Sequence, residues 1–332
     1  MKEFANQILI TKIANIILNN FFFVLDIDEC ETKGACSHFC ENREGGHVCS
    51  CLPGYIPSEE DATRCLAQPE KGRLALLYTH KRDIRLTDLR RRETAPVVEG
   101  TRSAVGIDFH YAAGQIFWTD SVEKRIYRAR MEDEFETKKV VIDKGAEVGL
   151  AVDWIHNNLY WIRKEEEKKY ISLADFNGNN VVDLVSEDVH NPQSIALHPS
   201  KGWMFWSDWG KIPKIEKCGM DGTRREILVK DNMLWPNGMA LDLVTETLYW
   251  VDAKLHTVNS VGILEGGTPR QVLHSPLYLY HPYGISVFED FIYWTDWGLN
   301  STSIFKADKF NGNNILEFKK ITVSFGCYIF TI

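Results

Sequence analysis

The chain has 332 residues, 44% hydrophobic and 12% aromatic, which is ample for one large core beside a smaller module. Its formal net charge of −8 argues against a nucleic-acid partner, because phosphate binding needs clustered lysine and arginine. No uninterrupted apolar run has the length of a membrane span, and the modest acidity suits either a soluble surface or one that meets basic ligands.

In chain order, residues Ile8 to Leu25 come first, apolar but broken by Lys12, Asn15, Asn19 and Asn20. They resemble a signal peptide, yet no small-residue cleavage site precedes Asp26. Phe21-Phe22-Phe23-Val24-Leu25 reads as a translated pyrimidine-rich intron end, and Val323-Ser324 as a translated splice donor. Residues 1–25 and about 321–332 are therefore expected to be translated intron. Continuous coding reads across both junctions would reject that expectation.

Cys30, Cys36, Cys40, Cys49, Cys51 and Cys65 follow, spaced C-x5-C-x3-C-x8-C-x-C-x13-C. A module this small cannot bury enough apolar surface to fold alone, so covalent staples replace the missing core. Six cysteines allow fifteen pairings. Disulfides need an oxidising compartment, which makes the chain secreted or the outer part of a membrane protein. The spacing over residues 26–65 resembles the EGF-like module, and that resemblance implies Cys30–Cys40, Cys36–Cys49 and Cys51–Cys65. Asp26-Ile27-Asp28-Glu29-Cys30 resembles the opening of calcium-binding EGF-like modules. By that resemblance Asp26 and Glu29 supply carboxylates, Asn42 a side-chain oxygen and Ile27 a backbone carbonyl, with a less direct part for Asp28. Oxygen ligands suit Ca²⁺, whose part here would be rigidity between modules; an acidic linker without metal is the plainer alternative. His47 stands where those modules carry an aromatic residue.

After a linker at residues 66–71, a strand ending in an aromatic word recurs from 72 to 320. The words are Phe117-Trp118-Thr119-Asp120, Tyr160-Trp161-Ile162-Arg163, Phe205-Trp206-Ser207-Asp208, Tyr249-Trp250-Val251-Asp252 and Tyr293-Trp294-Thr295-Asp296. Leu77-Tyr78-Thr79-His80 is a degenerate first copy, and the steps between second residues are 40, 43, 45, 44 and 44. The apolar period around them is two, and strand repeats of this length mean propeller blades. Each word follows an apolar strand such as Val105 to Phe109 and precedes a third such as Arg125 to Ala129, so six four-stranded blades are expected.

On a strand, Trp118 and Asp120 point one way and Phe117 and Thr119 the other. The indole is expected to fill the wedge between blades, and the carboxylate to accept N–H groups from a turn. A catalytic group rarely needs repeating in every unit, so structure outweighs catalysis for these acids. Arg163 breaks the pattern and opens a charged hairpin, Lys164 to Lys169.

An EGF-like module running into YWTD repeats resembles the LDL receptor family over about residues 26–320, as do Leu150 to His156 and Trp235-Pro236-Asn237-Gly238. The resemblance implies a mainly β fold: a disulfide-rich EGF-like module, then a six-bladed YWTD β-propeller whose first blade is closed by a strand from the chain's far end. The tail at 321–332 does not resemble that strand, so the closing strand is expected to be missing, leaving an open edge.

Aligning the innermost strands at Gly106, Gly149, Ser194, Gly238 and Gly284 puts Ser103, Ala146, Asn191, Trp235 and His281 at one end of the channel. Residues just past each word return there: Trp209, Ala253 and Trp297, then Lys254 and His256. Trp209, Trp235, Lys254, His256, His281 and Trp297 are therefore expected on one face, where clustered Trp read as a binding hot spot or else pack on their own loops. Histidine senses endosomal acidity. In LDL-type receptors, propeller histidines in contexts like Lys254-Leu255-His256 and His281-Pro282-Tyr283 imply acid-driven docking on the receptor's own acidic, calcium-loaded cysteine-rich repeats, displacing cargo. Asn300-Ser301-Thr302 is a sequon for N-glycan, Cys218 reads as a buried thiol, and Cys327 lies in the doubtful tail.

The leading expectation is a non-enzymatic endocytic receptor module at the cell surface and in endosomes, taking protein ligands, lipoproteins or vitellogenin. A signalling co-receptor binding a ligand peptide on the same rim is the alternative. A six-bladed propeller hydrolase with a channel metal is more distant, because Ser103, Ala146, Asn191, Trp235 and His281 are too few ligands for a catalytic ion.

Overall fold

The computed structural model describes residues 26–68, 74–80, 82–131, 138–264, 268–298 and 302–321, and the backbone of strands at 16–18, 21–23 and 327–331. Within the expected leader, Ile16–Leu18 pairs antiparallel with Phe21–Phe23. The rest of that leader lies outside the described residues. The chain divides into two compact units, 1–70 and 71–332.

In the first unit disulfides join Cys30 to Cys40, Cys36 to Cys49 and Cys51 to Cys65. Among its described residues only Cys36, Ser37 and Cys65 are buried, so the staples are the core. They brace a hairpin, Phe39–Arg43 with Gly46–Ser50, and a smaller one, Tyr55–Pro57 with Cys65–Ala67. Leu66 and Ala67 thus belong to this module.

The second unit is six four-stranded antiparallel sheets. Blade 2 runs Ala104–His110, Gln115–Asp120, Arg125–Arg130 and Lys139–Ile142 from the channel outward. Blades 3 to 6 repeat it from innermost strands Ala146–Asp153, Pro192–His198, Pro236–Asp242 and Pro282–Phe288. The alternation of each word splits it between two interfaces. Trp118 packs with Leu77, Ile84 and Val98 of blade 1, while Phe117 packs with Leu150, Leu159 and Trp161 of blade 3. Tyr160 shares a cluster with Trp206, Phe205 with Trp250, and Tyr249 with Trp294. Tyr293 meets Leu76 and Tyr78 of blade 1 and completes the ring. The five indoles are at most 1% exposed and form the largest buried side chains of the wedges.

The third letter of the word bridges blades near the channel. Thr119 Oγ1 accepts from Gly106 N–H and donates to the Val148 carbonyl of blade 3 at 2.8 Å. Ser207 Oγ does the same between Ser194 N–H and the Asn237 carbonyl of blade 5. The approach is close enough to require glycine: a Cβ on Gly106 would lie 2.2 Å from the Val148 carbonyl oxygen, and one on Gly238 would lie 2.4 Å from that of Tyr283.

The open ring expected from the sequence is corrected. Cys327–Thr331 pairs antiparallel with the second strand of the ring's first sheet, from Cys327 opposite Tyr78 to Thr331 opposite Leu74, and gives blade 1 its innermost strand. Ile321 ends the outer strand of blade 6, Leu316–Ile321. The expectation relied on a side-chain pattern, but an open edge offers backbone N–H and C=O groups that any β-competent segment satisfies. Tyr328-Ile329-Phe330-Thr331 has the aromatic and β-branched composition for it.

Candidate ligand-binding rim and metal site

One end of the propeller is built from the residue before each innermost strand and the residue after each word. Ser121 N–H donates to the Ser103 carbonyl, Trp209 to Asn191, Ala253 to Trp235 and Trp297 to His281, at 2.9 to 3.2 Å. The word's aspartate pins both segments. Asp252 accepts from Leu234, Trp235, Lys254 and Leu255 N–H groups at 2.7 to 3.2 Å. Asp120 accepts from Arg102, Ser103, Val122 and Glu123, and Asp208 from His190, Asn191 and Gly210. In blade 3, Arg163 points outward instead and pairs with Asp183 at 2.8 Å and Glu165 at 2.6 Å.

The structure brings the six predicted rim residues into one strip over blades 4 to 6. Trp209 and Trp235 meet edge to face at 5.4 Å between centroids, and Lys254 Nζ lies 5.3 Å over the Trp235 ring. Trp235 keeps 38% of its surface exposed, so the pair is a surface feature. His281 packs on Trp297 at 5.5 Å. His256 closes the turn after Asp252 with φ of 56°, and its Nδ1 lies 2.7 Å from the Leu279 carbonyl. A carbonyl only accepts, so Nδ1 carries the proton and donates it. Burial, and then the neighbouring His256, hold His281 below the ordinary histidine value.

Sequence reasoning missed two parts of this strip. Tyr283 stacks on Trp297 at 5.9 Å. The loop before blade 6 adds exposed Leu277, Tyr278 and Tyr280, with Leu277 73% exposed. Tyr278 is tied down by the indole N–H of Trp294, which donates to its carbonyl at 2.8 Å. Aromatic residues clustered before a word were the available signal. Ala146, expected on the ring, is buried and presents no surface. Asn300 lies outside the described residues.

Blade 6 differs beneath the rim. Asp296 accepts only from His281 N–H, at 3.0 Å, and its buried Oδ1 has no donor among the described residues. Burial raises this carboxyl to about 7.

In the first unit, Asp26 accepts from Asn42 Nδ2 at 3.0 Å and from Gly45 N–H at 2.8 Å. Glu29 Oε2 is buried without a hydrogen-bond donor among the described residues, 3.7 Å from His47 Nδ1. Asn42 and His47 face each other across the hairpin, so Asp26, Glu29 and Asn42 flank one strand pair. Asp28 instead caps the turn Glu29–Glu31 by accepting from Cys30 N–H. An orphaned carboxylate oxygen beside a second carboxylate and an amide is a donor set that fits a hard cation; Ile27 would add its carbonyl. The histidine–cysteine groups Cys36–His47–Cys49 and His38–Cys51–Cys65 use disulfide sulfurs and offer no thiolate.

Known proteins share this fold. The family described as low-density lipoprotein receptor repeat class B matches residues 157–199 and 202–243. The human low-density lipoprotein receptor-related protein 5-like protein is 34% identical over 204 residues, covering 61% of this chain and 79% of its own length. The chain belongs to the low-density lipoprotein receptor family. The Drosophila melanogaster vitellogenin receptor Yl is 35% identical over 297 residues, 87% of this chain. That stretch is only 15% of the fly receptor, so the chain corresponds to a small part of it. In the crystal structure of a nidogen/laminin complex, one chain superposes with TM-score 0.68 at 24% identity over 77% of this chain and 98% of its own, which establishes the propeller fold. These sequence relatives are receptors or receptor-related proteins rather than enzymes. No helix among the described residues is long and apolar enough to cross a membrane.

Proposed function

We propose that this chain is the extracellular EGF-like and propeller part of an endocytic receptor, which docks in acid on acidic calcium-loaded repeats of its own parent chain and so displaces cargo. The observation that carries the reading is the strip Trp209–Trp235–Lys254 continuing into His256, His281 and Trp297. Exposed Trp235 with half-buried Trp209 and Trp297 supplies apolar anchors, and lysine with two imidazoles supplies charge opposite carboxylates. The sign follows from His281. Its proton affinity is depressed in the free protein, and a carboxylate partner raises it. Docking therefore takes up protons and tightens as pH falls through the bound histidine pKa. Each rise of about one pH unit in that pKa is worth tenfold in affinity.

A rim that binds tightly at neutral pH would instead suit a signalling co-receptor with an extracellular peptide ligand. The relationship to a vitellogenin receptor makes lipid-carrying proteins the first cargo to test. Asp26, Glu29, Asn42 and the Ile27 carbonyl would hold Ca²⁺ that stiffens the module, and Asn300 would carry an N-glycan. The deciding experiment measures binding of recombinant acidic cysteine-rich repeats to the wild-type chain and to His256→Ala/His281→Ala at pH 5.5 and 7.4. Acid-enhanced binding by the wild type that the double variant loses is expected. Undiminished acid binding by the variant removes the switch, and equal binding at both pH values favours the co-receptor.

A further inference from the structure

The outer wall of the seam between blades 6 and 1 carries a cation cluster that the rim does not use. Leu89-Arg90-Arg91-Arg92 turns between the third and outer strands of blade 1, Asp83–Asp88 and Thr94–Val98. Such turns lie at the opposite end of the blades from the tryptophan–histidine strip, because each successive strand reverses direction. Buried Asp88 holds this turn from within, its Oδ1 accepting from the N–H groups of Arg90 and Arg91, each at 2.8 Å. The carboxylate is committed to backbone, while the side chains of Arg90 and Arg91 are exposed with no ion pair among the described residues. Arg92 crosses the seam, its Cζ 4.3 Å from the centre of the Phe318 ring of blade 6. Lys319 crosses the other way and donates to the hydroxyls of Thr87 and Thr94. Lys306 covers the Phe291 ring at 3.4 Å.

Two of the described acids nearby are engaged with other groups. Asp83 pairs with Arg85 at 3.0 Å, and Glu317 accepts from Ser303 at 2.6 Å. Glu93 is exposed beside the turn, and Glu289 acts on Lys306. Burial, then Arg85 and Arg92, hold Lys319 below the ordinary lysine value. Lys306 is lowered by burial, with Glu289 raising and Arg92 lowering it.

We propose that this seam binds a sulfated, uronate-bearing polysaccharide of the heparan class through Arg90, Arg91 and Arg92, with Lys306 and Lys319 behind them. Charge complementarity sets the class, since the cluster stands out on a chain of net charge −8. Guanidinium forks match the paired oxygens of sulfate and carboxylate. The disulfides belong to an oxidising compartment, where short basic runs meet sulfated glycans rather than nucleic acid. A protein partner would need apolar anchors, and on the strands that build the seam Leu316 is the one exposed large apolar side chain among the described residues.

The test uses the whole chain and a heparin decasaccharide, with calorimetric titration at about 0.15 M salt and at lower salt. Arg90→Ala/Arg91→Ala removes side chains without touching the Asp88 bonds, which are to backbone. It is expected to bind about thirtyfold more weakly, at roughly 1 kcal/mol per surface cation near a polyanion, with an unchanged unfolding midpoint. Lys144→Ala/Lys168→Ala, a loss of two exposed lysines elsewhere, is expected to bind like wild type, and desulfated heparin is expected not to bind. Wild-type affinity in the arginine variant, or equal loss in the lysine control, overturns the proposal. So does poly-glutamate that competes as well as heparin, which would make the partner an acidic protein.

Discussion

Asp252 and Asp296 occupy the same position of the same word, yet opposite results are expected when each becomes asparagine. Asp252 accepts four backbone N–H groups: Leu234 on Oδ2, Lys254 and Leu255 on Oδ1, and Trp235 shared by both. Asparagine keeps one oxygen; the amide orientation that keeps it at Oδ1 leaves one donor, Leu234 N–H, without an acceptor, and the reverse leaves two. One to two donors without an acceptor, at about 1–3 kcal/mol each, plus an amide N–H₂ facing them, give about 2–5 kcal/mol. That is a large share of a domain stability of about 5–15 kcal/mol. Among the described residues Asp296 has one backbone donor and an unsatisfied oxygen, and an amide oxygen can still accept from His281. Its carboxyl stands at about 7 against the ordinary 3.8, so the folded state holds the proton more tightly than the unfolded. The stability this group contributes is full below the ordinary value and is lost as pH rises to about 7. Between pH 5.5 and 8 the wild type therefore loses about 2 kcal/mol that Asp296→Asn does not. Urea unfolding of both variants at those two pH values, followed by Trp fluorescence, is the assay. Asp252→Asn is expected to be strongly destabilised at both, and Asp296→Asn to gain on the wild type at the higher pH. If Asp296→Asn is destabilised as much as Asp252→Asn, or its difference from wild type ignores pH, the reasoning from counted donors fails.

Three further outcomes are expected. Gly238→Ala places a methyl 2.4 Å from the Tyr283 carbonyl oxygen and 3.0 Å from Gly284 Cα, both backbone, and is expected to cost about 2 kcal/mol or more, read as a lower unfolding midpoint. Ca²⁺ is expected to bind the disulfide module with a Kd of about 0.1–1 mM by calorimetry, and Glu29→Gln to weaken it at least tenfold; unchanged affinity would remove Glu29 from the site. Buried Cys218, pushed up to about 12, is expected to resist a thiol reagent in the native Cys327→Ser chain and to react only through the unfolding transition.

The repeat and the strip were legible because both follow from period two. Once Trp118, Trp161, Trp206, Trp250 and Trp294 are placed on strands, the wedge partners and the end to which Trp209 and Trp297 return are fixed by parity. What escaped the sequence depends on surroundings that the letters do not encode. Asp252 and Asp296 are one letter in one word, and nothing in that word foretells that burial raises the carboxyl of Asp296 to about 7. The closing strand escaped for the complementary reason: pairing at Cys327–Thr331 is made by backbone, so an unfamiliar side-chain pattern did not prevent it. Tyr283, Lys319 and the Arg90–Arg92 turn gain meaning only across blade boundaries.

The blade geometry also argues for where function can sit. Near the channel, innermost strands approach so closely that Gly106 and Gly238 have no room for a Cβ, and the wall there is backbone against backbone. Its polar side chains are engaged: Asn237 donates to the Pro282 carbonyl, Ser194 accepts from Met239 N–H, and Asp108 takes the N–H groups of Phe109 and Val152. A side chain that holds the ring together cannot be exchanged for one that does chemistry without loosening two blades. The ends are under no such constraint. Each word's aspartate grips backbone and leaves the side chains outside it, such as Trp235 and Lys254 around Asp252, free to vary with the partner. A ring built this way changes partner by rewriting its ends while its wedges stay the same, which suits a fold that serves receptors with different ligands.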